Sequence, residues 1–434
     1  MYRTVLGNGR KYQYRNQLVI FDCRMYSDDM VTISPMPTSP ATSASSPGDL
    51  FQLIRQGTAR SRSELSKVTG LAPSTVSLKV EDLLRGGLVI ESGVSGRGGR
   101  TARRLSVNAA EGFVVSLDLG ASHVRVAVAD LAGLILADRL CSTDVIDEDP
   151  GVTVSGLWRT IQGIVDDTDL ELTKMVALAV GVPAPVRQPE GRIVSPAFMP
   201  AWNNATLSTL FATMTDVPVI VENDANLYAI AECPAEVEPE SAHLLAIKLG
   251  TRIGCGIISG GKLHRGFSGA AGEISHTQAK GQAAILCSCN VVNCLESVAS
   301  GGALLARLRA DGLTVGSTQE LVQMGEHGDA RAVQVLREAG SEIGAALSSF
   351  VNFFNPRELV LGGTMCYSAP LTAAIRAELF RTCLPLMTEN LDVRTSRPET
   401  GLGSAGGLRL ALDTALQPER VNALLSEAEA VHSA

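Results

Sequence analysis

Two stretches of this chain follow one plan. "GFVVSLDLGASHVRVAVADLAGLILA" (residues 112–137) reads as strand, glycine turn, strand, turn, strand, and "AHLLAIKLGTRIGCGIISGGKLHRG" (242–266) reads the same way. Both place "LG" and then a small or hydroxyl residue at the first hairpin. Such an echo predicts a duplicated domain with a cleft between two lobes. Facing glycine-rich hairpins suit the clamping of nucleotide phosphates by backbone N–H groups. Taken singly, each is an ordinary hairpin that needs glycine for its turn.

At 434 residues, 45% hydrophobic and 19% charged, the chain is long enough for two or three domains with sizeable cores. No apolar run approaches the roughly 18–20 residues of a membrane span. The N-terminal "LVIF" is too short for a signal-peptide core, so a cytoplasmic place is expected. Residues 1–47, with a Ser/Thr/Pro-rich end, read as a disordered leader in which Met25, Met30 and Met36 are candidate starts. Six of the nine cysteines (Cys23, Cys141, Cys233, Cys255, Cys366, Cys383) are scattered singly, as reduced thiols would be.

Charge is uneven. Residues 48–108 carry ten Lys/Arg against five Asp/Glu, a net of +5, and residues 1–47 five against three, a net of +2. The total of −8 leaves −15 for residues 109–434. Only the small basic module is therefore expected to meet nucleic acid.

That module, residues 48–108, has the order of a winged helix-turn-helix. "DLFQLIRQG" carries Leu50, Leu53 and Ile54 at helical spacing. "SRSELSKVTG" follows, with Ser63 as a plausible N-cap and Gly70 as a stop. In "LAPSTVSLKVEDLLRGGLV", Pro73 suits a first helical position, although Ala72 stands where a capping side chain is usual. Val76, Val80, Leu83 and Leu84 share one face, and Ser74, Thr75, Ser77 and Lys79 are the expected DNA-facing residues. "LVIESGVSGRGGRTARRLSVN" reads as a hairpin wing with Arg97 and Arg100 at its tip and Arg103 and Arg104 beyond.

The exception among the cysteines is "HTQAKGQAAILCSCNVVNCLE", residues 276–296. Its pattern, His-x10-Cys-x-Cys-x4-Cys, offers four donors, His276, Cys287, Cys289 and Cys294, enough to close a tetrahedron on a structural zinc. Redox chemistry fits less well, because the C-x-x-C spacing is missing.

Set beside "GVPAPV" (181–186), "SPAFMPAW" (195–202), "VENDAN" (221–226), "GAAGEISH" (269–276) and "NPRELVLGG" (355–363), these motifs resemble the ROK family of repressors and sugar kinases. The resemblance covers nearly all of residues 110–410, and the helix-turn-helix in front is similar to the family's regulator branch. It implies an α/β fold: a duplicated ribonuclease H-like, actin/hexokinase-type body of two lobes (109–417, the second beginning near 240), a winged helix-turn-helix in front and a C-terminal helix or tail at 418–434. It implies sugar binding by Asn223, Asp224, Glu273, His276 and Glu296, with Asp224 the catalytic base wherever phosphoryl transfer is retained. It also makes His276 a zinc ligand. From the residues alone, "END" equally fits an Asx turn at a strand end.

Some positions depart from the kinase pattern. Asp118, Gly120, Gly250 and Thr251 match it, but the first phosphate loop continues Ala121, Ser122, His123 and the second places Arg252 after Thr251. The nucleotide site (Asp118, Gly120, Ser122, Gly250, Thr251) is thus read as degenerate, and ATP and Mg²⁺ are not expected. Asn290 and Asn293 replace two usual glycines in the zinc loop, and Ala197 replaces an asparagine in the sugar loop. The expected protein is a sugar-responsive regulator, a repressor of carbohydrate uptake or catabolism genes. It would bind an operator in double-stranded DNA and a small sugar or sugar phosphate effector, as a homodimer or tetramer. Lobe closure would shift its DNA-binding modules. The alternatives are an ATP-dependent sugar kinase that keeps a DNA-binding module, and a regulator controlled by a docking protein.

Overall fold

In the computed structural model, which describes residues 24–25, 31–37, 45–95, 101–120, 123–142, 148–194, 199–280, 284–396 and 402–433, each repeat builds one sheet. The wing tip with Arg97 and Arg100, Ser122 of the first phosphate loop, and Ala197 lie outside the described residues. The chain divides into two units: residues 1–182, 206–222 and 407–434, and residues 183–205 and 223–406.

The first unit opens with β1 (Arg24–Met25), α1 (Pro47–Arg55), α2 (Arg62–Thr69), α3 (Pro73–Arg85) and the hairpin β2 (Val89–Ser95) with β3 (Thr101–Val107). Ser61, not Ser63, caps α2, its side chain accepting from Glu64 N–H at 3.2 Å. Gly70 ends α2 in the left-handed region (φ 70°), and Ala72 makes no side-chain cap. Leu50, Phe51, Leu65, Val76, Val80, Leu83 and Leu105 form the module's buried interior.

The sheet of this unit holds β4 (Phe113–Leu119), β5 (His123–Asp130), β6 (Ile135–Ser142) and β7 (Met175–Val182), with β10 (Val219–Asn223) at one edge and β1 at the other. β4, β5 and β6 form an antiparallel meander, and β7 runs parallel to β4. Parts of the expected leader belong to this sheet. β1 pairs with β6, Ile33 N–H donates to Gly133 O at 2.7 Å, and Ile33 is buried. An edge strand's unpaired amides accept such an addition, which composition alone does not reveal. Cys141, read as a reduced thiol, is buried and disulfide-bonded, whereas the other described cysteines form no disulfide. Pairing depends on Cα atoms brought within about 7 Å by the fold, not on spacing in the chain.

Two helices of this unit, α4 (Pro150–Asp167) and α5 (Leu207–Phe211), touch each other. The second unit contains the short ribbon β8 (Val186–Arg187) and β9 (Arg192–Ile193), then α6 (Asp224–Glu232), β11 (Leu244–Leu249), β12 (Ile253–Ser259) and β13 (Lys262–Leu263). It continues with α7 (Leu295–Ala299), α8 (Gly301–Ala310), α9 (Thr318–Glu326), α10 (Ala330–Phe354), β14 (Glu358–Gly362), α11 (Ala369–Thr382), α12 (Pro385–Thr388) and β15 (Asp392–Thr395). Its strand order β13-β12-β11-β14-β15 matches β6-β5-β4-β7-β10 of the first sheet. An antiparallel three-strand meander with a parallel strand beside its first strand and one more strand beyond, occurring twice in the same order, is the duplication that the echo predicted.

The chain ends in α13 (Leu402–Ala415) and α14 (Pro418–Ser433). α14 packs along α1, where Gly48 N–H donates to Asn422 Oδ1 at 2.8 Å and Arg55 pairs with Asp413 at 2.8 Å. The expected C-terminal helix or tail is thus a helix of the first unit, packed on α1. At the start of α13, a Cβ on Gly406 would lie 1.8 Å from the Leu227 carbonyl of α6. Gly406→Ala is expected to cost about 3 kcal/mol, because the obstacle is backbone and cannot rotate away. Chemical denaturation checks this, and an unchanged midpoint would show that α13 shifts freely.

Candidate functional site

Strand β10 ends at Asn223, whose side chain caps α6 by accepting from Ala225 N–H (2.9 Å) and Asn226 N–H (3.3 Å) and donates to Ala184 O at 3.0 Å. The Asx-type geometry expected of "END" is thus present and sets the direction of α6. Asp224 is the first residue of that helix. Its Oδ2 is held at 2.5 Å by Lys248 Nζ, from the neighbouring β11. Lys248 escaped the sequence reading. The signal was there: one ammonium in the apolar run "LLAIKL", on a position less buried than its neighbours.

Glu296, on the first turn of α7, is buried, and its Oε2 accepts from Ile253 N–H at 2.9 Å. Arg252 approaches its other oxygen at 3.6 Å. Burial pushes the Glu296 pKa up, opposed by the Ile253 amide and the Arg252 guanidinium. Glu273 precedes the 3-10 turn Ile274–His276. The residue is exposed, while its carboxyl end is partly enclosed by protein. That burial, then the charges of Asp224 and Glu296, push its pKa up. Burial lowers the His276 pKa, with Arg252 adding to it. Asp224, Glu273, His276 and Glu296 are thereby gathered, with Lys248 and Arg252 as cations among them. Acceptors and donors alternate over a small area, the pattern needed by hydroxyl groups that donate and accept at once.

The four donors of the Cys/His pattern come together. The ligand atoms of His276, Cys287, Cys289 and Cys294 all lie within 4.8 Å of one another. Cys289 and Cys294 sulfurs are 3.5 Å apart, and Cys287 Sγ is 3.8 Å from His276 Nδ1. Tetrahedral zinc with bonds of about 2.3 Å to sulfur needs donors about 3.8 Å apart, so the set fits. Burial and the neighbouring sulfurs push Cys294 up to about 12, while bonds from Val291 and the adjacent thiols outweigh burial and lower Cys289. Asn290 (φ 65°) and Asn293 (φ 59°) both adopt the left-handed conformation, so asparagine does here what glycine usually does. Beside the ligands, Thr251, Arg252, Leu286, Ser288, Glu296 and Ser297 border an open cavity of about 330 Å³.

The residues read as a nucleotide site are split between the units, Asp118 and Gly120 in the first and Gly250 and Thr251 in the second. In the first, the His123 ring lies against Gly120, within 2.5 Å of where a Cβ would stand. In the second, Gly250 O and Thr251 O accept from Gly301 and Gly302 N–H, both at 2.9 Å, and Ala303 N–H donates to Ser300 Oγ at 3.2 Å. The first-turn amides of α8, which could otherwise hold a phosphate, are occupied.

In the helix-turn-helix module, Ser74 is exposed and Thr75, Ser77 and Lys79 are half-buried on α3. Lys79 lies on the flank facing α1, near enough to favour the Asp49 carboxylate. Glu91 on β2 pairs with Arg62 and, at 3.1 Å, with Arg103, which ties the wing to α2.

The profile of the ROK family matches residues 114–414. The chain belongs to the ROK family. A xylose repressor of Bacillus spizizenii is 27% identical over 349 residues, 80% of this chain and 89% of the relative. A solved ROK family transcriptional regulator, described as a homologue of the Escherichia coli Mlc protein, superposes with TM-score 0.74 and 25% identity over 88% of this chain and 98% of its own. A ROK hexokinase from Thermus thermophilus gives TM-score 0.55 and 28% identity over 69% of this chain and 97% of its own. The regulator thus accounts for more of this ROK protein than the hexokinase does, which places it in the regulator branch. No helix among the described residues is long and apolar enough to cross a membrane.

Proposed function

We propose that this ROK protein is a sugar-responsive transcription regulator, a repressor of carbohydrate uptake or catabolism genes. Its basic helix-turn-helix module binds operator DNA as a homo-oligomer, and a small sugar or sugar phosphate binds at Asn223, Asp224, Glu273, His276 and Glu296. A structural zinc on His276, Cys287, Cys289 and Cys294 would hold the loop that carries two of these groups. With His276 Nδ1 towards the metal, Nε2 is the atom left for a sugar hydroxyl. The naming of one relative as a xylose repressor and of a solved neighbour as a transcriptional regulator supports this reading.

The observation that carries it against the kinase alternative is the Lys248–Asp224 pair. A general base must present its lone pair to the attacking hydroxyl, and here an ammonium holds it. Arg252 turns towards Glu296 rather than standing ready for phosphate, and the α8 amides are filled.

The test is operator binding by the full chain with and without a panel of neutral sugars and sugar phosphates, paired with thermal shift. One sugar is expected to raise the melting midpoint and to weaken DNA binding at the same concentrations. Absence of DNA binding even at low salt would end the regulator reading. A DNA complex that ignores every sugar and yields to a protein would point to a docking partner instead.

A further inference from the structure

The reading face of α3 carries an apolar side chain that hydroxyl contacts do not account for. Leu78 is 64% exposed. Val76, Val80 and Leu83 are fully buried and define the inner pole of the helix. At 100° per residue, Ser74 and Leu78 fall about 160° and 200° away from Val76, at the outer pole. Single exposed leucines are common on protein surfaces. This one stands in the first half of α3, beside Ser74, Thr75 and Ser77, where a helix of this kind approaches base edges.

What surrounds it narrows its use. Further along the same face, Glu81 is paired with Arg62 at 2.8 Å and Asp82 with Arg85 at 3.5 Å. The segment Pro73–Val80 contains no Arg, Asn or Gln, and its single lysine, Lys79, is half-buried on the flank towards Asp49 of α1, so the outer pole lacks the side chains that read guanine or adenine through two hydrogen bonds. Hydroxyls accept any base. In the major groove the one apolar group a base presents is the C5 methyl of thymine. Pressing leucine onto any other base edge would strip water from polar atoms without replacing their hydrogen bonds.

We propose that Leu78 packs on a thymine methyl group and so selects an A·T pair at one position of the operator. This rests on the DNA-binding reading above. The outward Leu78 supplies the sequence preference while the hydroxyls and the wing arginines supply contacts to the backbone.

The experiment starts from a randomised duplex pool selected on the full-length protein. Each thymine of the enriched sequence is then replaced by uracil, which removes only the methyl. One replacement is expected to weaken binding by about fourfold, the effect of losing one buried carbon. Leu78→Ala should show the lower affinity already and no further loss with uracil, and Leu78→Met should keep the methyl dependence. Leu78 is exposed, so neither variant disturbs folding, and equal melting midpoints would show it. Wild-type binding that is indifferent to every uracil, or a uracil effect that persists in Leu78→Ala, would overturn the contact. Failure to enrich or bind any duplex would overturn the DNA-binding reading itself, and the contact with it.

Discussion

Cys294→Ser is expected to lose zinc and to lower the melting midpoint by about 6–12 °C, as about 3 kcal/mol does in a unit of this size. The choice of variant removes a confusion. Cys294 is the N-cap of α7 and makes no side-chain cap bond there. Serine is a far better N-cap than cysteine, so by local propensity alone the substitution should help α7. A loss of stability therefore reports the metal. The geometry says why the loss should reach the ligand pocket. Cys294 stands two residues before Glu296, and His276 three after Glu273, so zinc release frees both ends of the loop. Apart from the cysteines the tip of the hairpin is held mainly by backbone bonds: Leu286, Val291 and Val292 are exposed, while Cys287 N–H donates to Val291 O at 2.9 Å and Asn293 N–H to Ile285 O at 2.7 Å. Cys289→Ser and chelation should act in the same direction. Metal analysis, thermal melting and the effector-induced change in DNA affinity are the measurements. A chain that loses zinc yet keeps its effector response would refute the scaffold role of the metal.

What was legible in the sequence follows the range of the forces involved. The duplication was legible because each repeat is a run of local strand and turn signals, and the two sheets do share one strand order. The Cys/His cluster was legible because four donors over 19 residues can be brought together by one short loop. Left-handed Asn290 and Asn293 could be anticipated from their chemistry alone. Other features depend on what the chain meets far away. Ser63 and Ser61 are equivalent locally, and the register of α2 against the rest of the module decides between them. The pairing of residues 31–33 with the turn before β6 and the packing of α14 on α1 link segments that carry no sign of one another. Lys248 and Arg252 belong to the same class. Lys248 looked like a solitary charge and Arg252 like a misfit in a phosphate loop, and they prove to be partners of pocket carboxylates 24 and 44 positions away by number.

Asp224→Asn is expected to weaken effector binding by about tenfold to a hundredfold, the worth of a hydrogen bond to a charged group, and to leave ATP turnover where the wild type has it, at background. In a working kinase the same substitution removes the base and collapses turnover, so the two readings predict opposite pairs of results. The structure favours the first pair for two independent reasons. Lys248 holds Oδ2 of Asp224, and the amides that begin α8 are spent on Gly250 and Thr251 carbonyls and on Ser300. Lys248→Met separates these reasons. It frees the carboxylate without opening the α8 amides, so turnover should stay at background. Effector affinity should fall, because a donor among the acceptors is gone. Isothermal titration with the sugar found by thermal shift, and a coupled ATPase assay with the same sugar, read the two quantities side by side. Sugar-dependent turnover in the wild type that Asp224→Asn abolishes would make the Lys248–Asp224 pair a resting state of an enzyme rather than the mark of a sensor.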